Sequence, residues 1–365
     1  MPRANHLFQY QEIAQELKEQ ILRGEFGVEG RLPSERALGI RFEVQRNTIR
    51  QALELLEKEG QILTQEKRGS FVRVPPSAPG PDTFLVNIHR GSSANLTHLM
   101  EGFSHISEQA GYRVRRRNTD PARGAALDHV PDPDRLPEDT AGVVLWPQNP
   151  TDAEMLGKLN RAIPLVLVDR RVLGVSADSV RFDDLAGGQM ITEHLLSQGH
   201  RRIAFLTDDV FAETVQNRWH GYVLAHETND VPVDPRLNLL FHGIDVPFFG
   251  VAMRHQLSQG KLSPTAIVCS NDLVAFTLLR FLHDEGIRVP DDLAVTGYGN
   301  SIPDYTEAMT LTTVDQPFYE VGTAAARILI DRMGQSTPER LRAAHDITIP
   351  VRLIVRASST GSVPK

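Results

Sequence analysis

Ile163-Pro164-Leu165-Val166-Leu167-Val168-Asp169-Arg170 is an apolar run that ends abruptly on two opposite charges. Apolar segments of the same kind recur at residues 84–88, 142–146, 203–206, 265–269 and 293–296. Stretches with helical character, at 96–110, 153–162, 186–198, 211–227, 273–285 and 318–333, lie between most of them. Strand–helix alternation at this spacing predicts parallel sheets with helices on both faces. About 280 residues exceed one such sheet, so two lobes are expected.

In open α/β sheets, ligands bind outside the carboxyl ends of the strands. The residues at those ends are polar: His89-Arg90 after the first strand, Asp169-Arg170 after the third, and Ser270-Asn271-Asp272 further on. Arg218 stands in the first turns of a helix, and Gln316 follows Val314-Asp315. Asp, Arg, Asn and Gln around one cleft suit a hydroxyl-rich ligand, with Trp146 or Phe211 available to cover a ring face. Each of these residues also has a plainer reading. An Asp at a strand end commonly caps a turn or helix, which applies to Asp169 and Asp272. Trp146 suits core packing equally well, and Cys269, inside an apolar strand, reads as inert.

Upstream of the alternation, Pro75-Pro76-Ser77-Ala78-Pro79-Gly80-Pro81 has four prolines in seven residues. Such a segment joins neither a helix nor a central strand and reads as a stiff linker. The chain therefore divides into residues 1–74, a linker at 75–82, and residues 83–365. The whole chain carries a net charge of −7, which by itself argues against a phosphate-binding protein. Divided at the linker, the first 74 residues hold 12 Lys and Arg against 11 Asp and Glu, and the rest hold 27 against 35. The acidity belongs to the long domain.

The short domain reads as three helices and a hairpin. Ile13, Leu17 and Ile21 mark one face of the first helix, and Ser34 is a candidate N-cap for a short second one. A third helix from about Arg46 to Glu59 turns Ile49, Leu53 and Leu56 inward. Two short strands then flank Lys67-Arg68-Gly69. Five Arg and two Glu lie between Arg31 and Arg50, so positive charge is concentrated locally. Gln45-Arg46-Asn47-Thr48-Ile49-Arg50 opens the last helix as a plausible major-groove reading edge, Arg for guanine or phosphate and Asn for adenine. A lone Arg pair on a helix is usually a solvated face; a helix-turn-helix with a basic wing reverses those odds.

Residues 10–74 resemble the winged helix of the GntR family. The resemblance is carried by Arg31-Leu32-Pro33-Ser34-Glu35-Arg36, Val44 to Leu53, and Gly69-Ser70-Phe71-Val72. It implies DNA contacts at Arg36, Arg46, Asn47, Thr48, Arg50, Arg68 and Gly69, and their neighbours Ser34, Gln45 and Lys67 are candidates beside them. Gln45 stands where the family usually has Ser, and Lys67 replaces the first Gly of its wing.

Residues 84–357 resemble the sensor domain of the LacI/GalR repressors, itself similar to periplasmic sugar-binding proteins. The carriers include residues 163–170, Asp183-Asp184 with Gly187-Gly188, Gly199 to Phe205, Arg218 with Gly221-Tyr222, Val289 to Tyr298, and Leu311 to Pro317. That resemblance implies a type I, two-lobed periplasmic-binding-protein-like fold. Its ligand positions would be the loop from His89 with Arg90, then Asp169, Arg170, Arg218, Asn271 and, in some members, Gln316; Trp146 and Asp272 join them as candidates from the reading of the strand ends. Gly299 occupies a position where the family often has a sugar-binding Asp, and residues 118–140 match poorly, with prolines breaking an expected helix. The pairing of the two domains resembles the arabinose-responsive repressors of Gram-positive bacteria.

The reading is therefore α/β: an N-terminal winged helix-turn-helix and a two-lobed ligand-binding and dimerisation domain. The expected function is a homodimeric regulator, most simply a repressor of carbohydrate-utilisation genes, released from a palindromic double-stranded operator by a sugar or related small molecule. A nucleoside or purine effector is the first alternative; a pyridoxal-phosphate regulator or a solute-binding protein is a weaker one. After residue 75 the lysines are Lys158, Lys261 and Lys365, none in a context for a Schiff base, and no catalytic or metal-binding spacing occurs. One Cys excludes an intramolecular disulfide. With neither a signal-peptide core nor an apolar run of about 18 residues, a cytoplasmic protein with no cofactor and no membrane contact is expected.

Overall fold

In the computed structural model, residues 6–22, 26, 31–58, 61–65, 69–72, 81–89, 94–119, 130–147, 152–240, 246–259, 263–301 and 310–361 are described. Most of the proline-rich linker, up to residue 80, lies outside them.

The short domain begins with α1 (His6–Leu22), α2 (Glu35–Arg41) and α3 (Arg46–Lys58). Leu17, Leu38, Ile49 and Leu56 are completely buried and close one small core, the inward faces expected from the sequence. Strands β1 (Ile62–Gln65) and β2 (Gly69–Val72) form an antiparallel pair with Ile62 opposite Val72. The segment before α2 adds to this wing: Arg31 bridges Phe71, and the Leu32 amide donates to the Ser70 carbonyl at 2.9 Å.

The long domain contains two parallel sheets. The first is built from β3 (Thr83–His89), β4 (Arg113–Thr119), β5 (Thr140–Leu145), β6 (Leu165–Asp169), β7 (Asp178–Phe182) and β13 (Asp346–Ile349), in the order β13-β7-β6-β5-β3-β4. The second has the order β11-β10-β8-β9, from β8 (Ile203–Thr207), β9 (Asn238–Leu240), β10 (Ala266–Cys269) and β11 (Ala294–Thr296). Its strands are buried on both faces: Ile203 and Phe205 enter one core, Ala204 and Leu206 the other. That alternation is why the strands read as continuous apolar runs.

Helices α4 (Ala94–Gln109), α5 (Ala153–Ala162) and α10 (Phe318–Arg332) cover the first sheet. Helices α6 (Asp184–Ser197), α7 (Glu213–Thr228), α8 (Val246–Leu257) and α9 (Asp272–Asp284) serve the second. The chain passes between the lobes after β7, after β12 (Thr313–Asp315) and after β13. β12 pairs with β14 (Arg352–Ile354) and continues the second sheet through bridges from Thr296 to Thr312 and from Gly299 to Asp315. The remaining helix, α11 (Thr337–Arg342), precedes β13.

Each crossing helix is fastened to its destination lobe through glycines. A Cβ at Gly188 of α6 would lie 2.2 Å from the Arg218 carbonyl oxygen of α7, and one at Gly221 of α7 would lie 2.1 Å from that of Leu185. The first lobe repeats the device: a Cβ at Gly102 of α4 would meet the Tyr319 carbonyl of α10 at 2.1 Å, and one at Gly322 that of Leu99 at 2.1 Å. Only residues lacking a side chain let two helix backbones approach so closely.

Several elements escaped the sequence reading. β4, Arg113-Val114-Arg115-Arg116-Arg117-Asn118-Thr119, is an edge strand whose polarity hides it. β7, β9, β12, β13, β14, α8 and α11 were likewise not expected; most of these strands are short. The proline-rich stretch before β5 contains a 3₁₀ turn at Pro133–Arg135, while residues 120–129 lie outside the described residues. Among the described residues no helix is long and apolar enough to cross a membrane.

These contacts give opposite expectations for two glycines in helices. Gly188→Ala is expected to lower the unfolding free energy by about 1–3 kcal/mol through overpacking. Gly157→Ala in α5, where the nearest atom to the new Cβ is the flexible Arg161 Nη1 at 3.5 Å, is expected to stabilise by up to about 1 kcal/mol. Urea unfolding of both variants checks the pair.

Candidate functional site

The first candidate surface is the start of α3. Arg46, Asn47 and Arg50 are exposed, as are Gln45 and Arg36. Arg46 Nε donates to Glu35 Oε2, and Arg50 Nη2 reaches the same oxygen at 3.4 Å. The Arg46 hydrogen bond leads in holding the Glu35 carboxyl below its usual range. Glu35 thus gathers both arginines on one face, a role that its place beside Ser34 did not reveal. An exposed charge pair of this kind is weak and exchangeable, so the guanidiniums stay available to nucleic acid.

Two expected contacts are placed elsewhere. Thr48 is 8% exposed and packs inward beside Ile49, because the inward stripe of α3 includes it. Ser34 uses its Oγ to cap α2, accepting from the Ala37 amide at 3.2 Å. Gly69 adopts φ +106° at the start of β2, a conformation that favours glycine, close to the Arg31 guanidinium. Lys67 and Arg68 lie outside the described residues.

The second surface is the cleft edge of the long domain. Trp146 follows β5 and is half-buried; its ring stacks on Phe318 at 5.4 Å. Asp169 ends β6 at φ +73°. Its Oδ2 accepts from Trp146 Nε1 at 3.1 Å and from Arg170 Nε and Nη2 at 3.0 and 2.9 Å. No hydrogen bond from the described residues reaches its other oxygen. His89 closes β3 opposite Thr119, and Arg90 lies outside the described residues.

From the second lobe, Arg218 lies almost fully buried. Its Nε donates to Asp184 Oδ1 at 2.8 Å and its Nη1 to the Ser270 carbonyl at 2.7 Å. The guanidinium lies 3.8 Å from the centre of the Tyr298 ring. Burial opposes its charge, but Asp184, Tyr298 and Asp169 outweigh burial and raise the Arg218 pKa. Burial raises the Asp184 carboxyl to about 6 against the opposing pull of Arg218. Gln316, 8% exposed, has an Nε2 without a hydrogen-bond partner, and its Oε1 faces Gly299.

Asn271 and Asp272, expected to face ligand, are committed to the fold. Asn271 Oδ1 caps α9 by accepting from the Val274 amide at 2.9 Å. Asp272 is 2% exposed. It accepts from Thr313 Oγ1 at 2.7 Å and from the Ser301 amide at 2.8 Å, tying α9 to the hinge strand β12. Phe211 is 74% exposed on the loop before α7. Asp208, directly after β8, was missed although the rule that found Asp169 applies to it. Asp184 and Tyr298 carried no local signal of their connection to Arg218.

Contacts also join the two lobes. The Arg171 amide and its Nη2 donate to the Glu213 carboxylate at 3.1 and 3.3 Å, and Asn95 Nδ2 donates to the Gly299 carbonyl at 3.3 Å. These hydrogen bonds join the lobes directly at two places.

Both parts of the chain are similar to known proteins. Residues 9–72 match the family model of bacterial regulatory proteins of the gntR family, and residues 192–359 that of a periplasmic binding protein-like domain. An arabinose metabolism transcriptional repressor of Geobacillus stearothermophilus is 31% identical over 362 residues, covering 96% of this chain and 97% of that protein. A protein of the same description from Halalkalibacterium halodurans is 26% identical, covering 96% of each chain. Among solved structures, a LacI transcriptional regulator from a Rhodococcus species superposes with a TM-score of 0.64 at 26% identity, over 78% of this chain and all of that one.

Arg46→Ala is expected to weaken binding to DNA fragments selected by the native protein by tenfold or more, the loss of about 1–3 kcal/mol typical of a base-reading arginine. Thr48→Val, inward and nearly isosteric, should leave binding within about threefold. Mobility-shift titrations of the two variants side by side distinguish the faces of α3.

Proposed function

The chain belongs to the GntR-type transcriptional repressors whose winged helix precedes a periplasmic-binding-protein-like sensor, and we propose that its effector is a sugar, most simply a pentose. The observation that carries the effector reading is the set of unfilled polar valences around the cleft. Among the described residues no hydrogen bond reaches Asp169 Oδ1 or leaves Arg218 Nη2, and Gln316 Nε2 is buried without a partner. An acceptor facing donors beside the half-buried Trp146 matches adjacent hydroxyls on a sugar ring. The two relatives described as arabinose metabolism repressors support the choice of pentose.

The repressor acts as a homodimer, with sensor domains pairing the two winged helices over a palindromic operator. A ligand between the lobes adds contacts to both rims and favours a closed arrangement with the lobes joined at Arg171–Glu213 and Asn95–Gly299. Closure shifts one lobe of each protomer relative to the other and alters the spacing of the readers. The coupling passes through the linker and dimer geometry, since no segment resembles the hinge helix of LacI-type repressors. The protein works in the cytoplasm, where DNA is found, and no catalytic residue or cofactor enters this scheme.

Mobility shifts on selected DNA test the reading. Addition of L-arabinose is expected to raise the apparent Kd for DNA at least about tenfold, as typical allosteric couplings do. Arg218→Ala should bind DNA normally and lose this response. Release by a purine nucleoside but not by pentoses would overturn the sugar assignment. Sedimentation of the complex checks the dimer.

A further inference from the structure

We propose that Asp184 is a positioning residue for effector recognition, holding Arg218 by its Nε so that Nη2 is the edge offered to the ligand. The proposal rests on the sugar reading for its ligand but on separate observations for its geometry. Asp184 is the first residue of α6, the helix that carries the chain from the first lobe into the second. It is 2% exposed and touches no solvent-facing surface of the cleft, so its effect on ligand must pass through its partner.

The guanidinium of Arg218 is fixed from three sides. Asp184 Oδ1 takes Nε at 2.8 Å, the Ser270 carbonyl takes Nη1 at 2.7 Å, and the guanidinium carbon lies 3.8 Å from the centre of the Tyr298 ring. Nη2 alone makes no hydrogen bond within the described residues. The glycine contact of the two helices sets this arrangement: Gly188 lies one turn beyond Asp184, and its Cα faces the Arg218 backbone, where a Cβ would come within 2.2 Å. Tyr298 belongs to the same unit, because its hydroxyl would lie 2.2 Å from a Cβ on Gly187. A guanidinium held on a carboxylate, a carbonyl and a ring needs no ordering when a ligand arrives, which favours affinity and restricts which hydroxyl is accepted.

The test has two arms on the full-length protein. In the first, the Nε–H resonance of Arg218, assigned by its loss in Arg218→Lys, is followed by nitrogen–proton NMR without ligand. Slow solvent exchange is expected in the native protein and in Asp184→Asn, which keeps an acceptor oxygen. Fast exchange is expected in Asp184→Ala. In the second arm, calorimetry measures L-arabinose binding. Asp184→Ala is expected to weaken it about tenfold or more and Asp184→Asn by less, as suits a charge-assisted hydrogen bond. Added to Arg218→Lys, Asp184→Ala should cost less than about twofold further, because both act through one group. Fast exchange in the native protein, or full additivity, overturns the proposal; if Asp184→Ala does not fold, equal affinity of Asp184→Asn and Asp184→Glu overturns it. A native protein that ignores L-arabinose overturns the pentose reading instead, and the exchange of the Arg218 Nε–H then decides the positioning role alone.

Discussion

Two helix backbones can touch only where side chains are missing, and this chain uses that constraint in both lobes. α6 and α7 meet at Gly188 and Gly221, and α4 and α10 meet at Gly102 and Gly322. In each pair one helix has crossed from the other lobe, so the contact welds a crossing segment to the sheet it joins. The lobes are joined by three connections, between β7 and α6, near Gln316-Pro317 and near Pro350-Val351. A two-lobed sensor needs rigid lobes and a soft joint, because a ligand biases only a motion that the rest of the fold permits.

The same contact reaches the ligand edge. With α6 and α7 locked in register, Asp184 falls beneath Arg218, and the buried pair is satisfied by each partner and by the Ser270 carbonyl. A buried ion pair adds little net stability and commonly fixes geometry instead. Across the cleft, Asp169 is arranged by the opposite logic. Donors from Trp146 and Arg170 converge on one of its oxygens, and no hydrogen bond from the described residues reaches the other. An acceptor from one lobe and a donor from the other therefore stand ready with their remaining bonds unmade.

The DNA end shows how little net charge says about function. The winged helix is close to neutral, and its case rests on Arg46 and Arg50 gathered by Glu35 at the mouth of α3. Glu35 pairs with both arginines and holds them together on one exposed face of α3.

Sequence alone determined the two-part layout, the parallel sheets, the winged helix and the inward faces of its helices. Each of these depends on local periodicity or on a contiguous motif, which a linear reading contains. It also brought forward Asp169, Arg218 and Gln316 as groups that end up with open valences. Tertiary structure decided which polar residues are free to act. Asn271 and Asp272 look like ligand residues on a strand end but are consumed by a helix cap and a hinge strand, and Thr48 turns inward. Asp184 lies 34 residues from Arg218 and becomes its partner only through the glycine contact of two helices. Hydrogen-bond saturation is a property of neighbours in space, so no spacing rule along the chain could have assigned it.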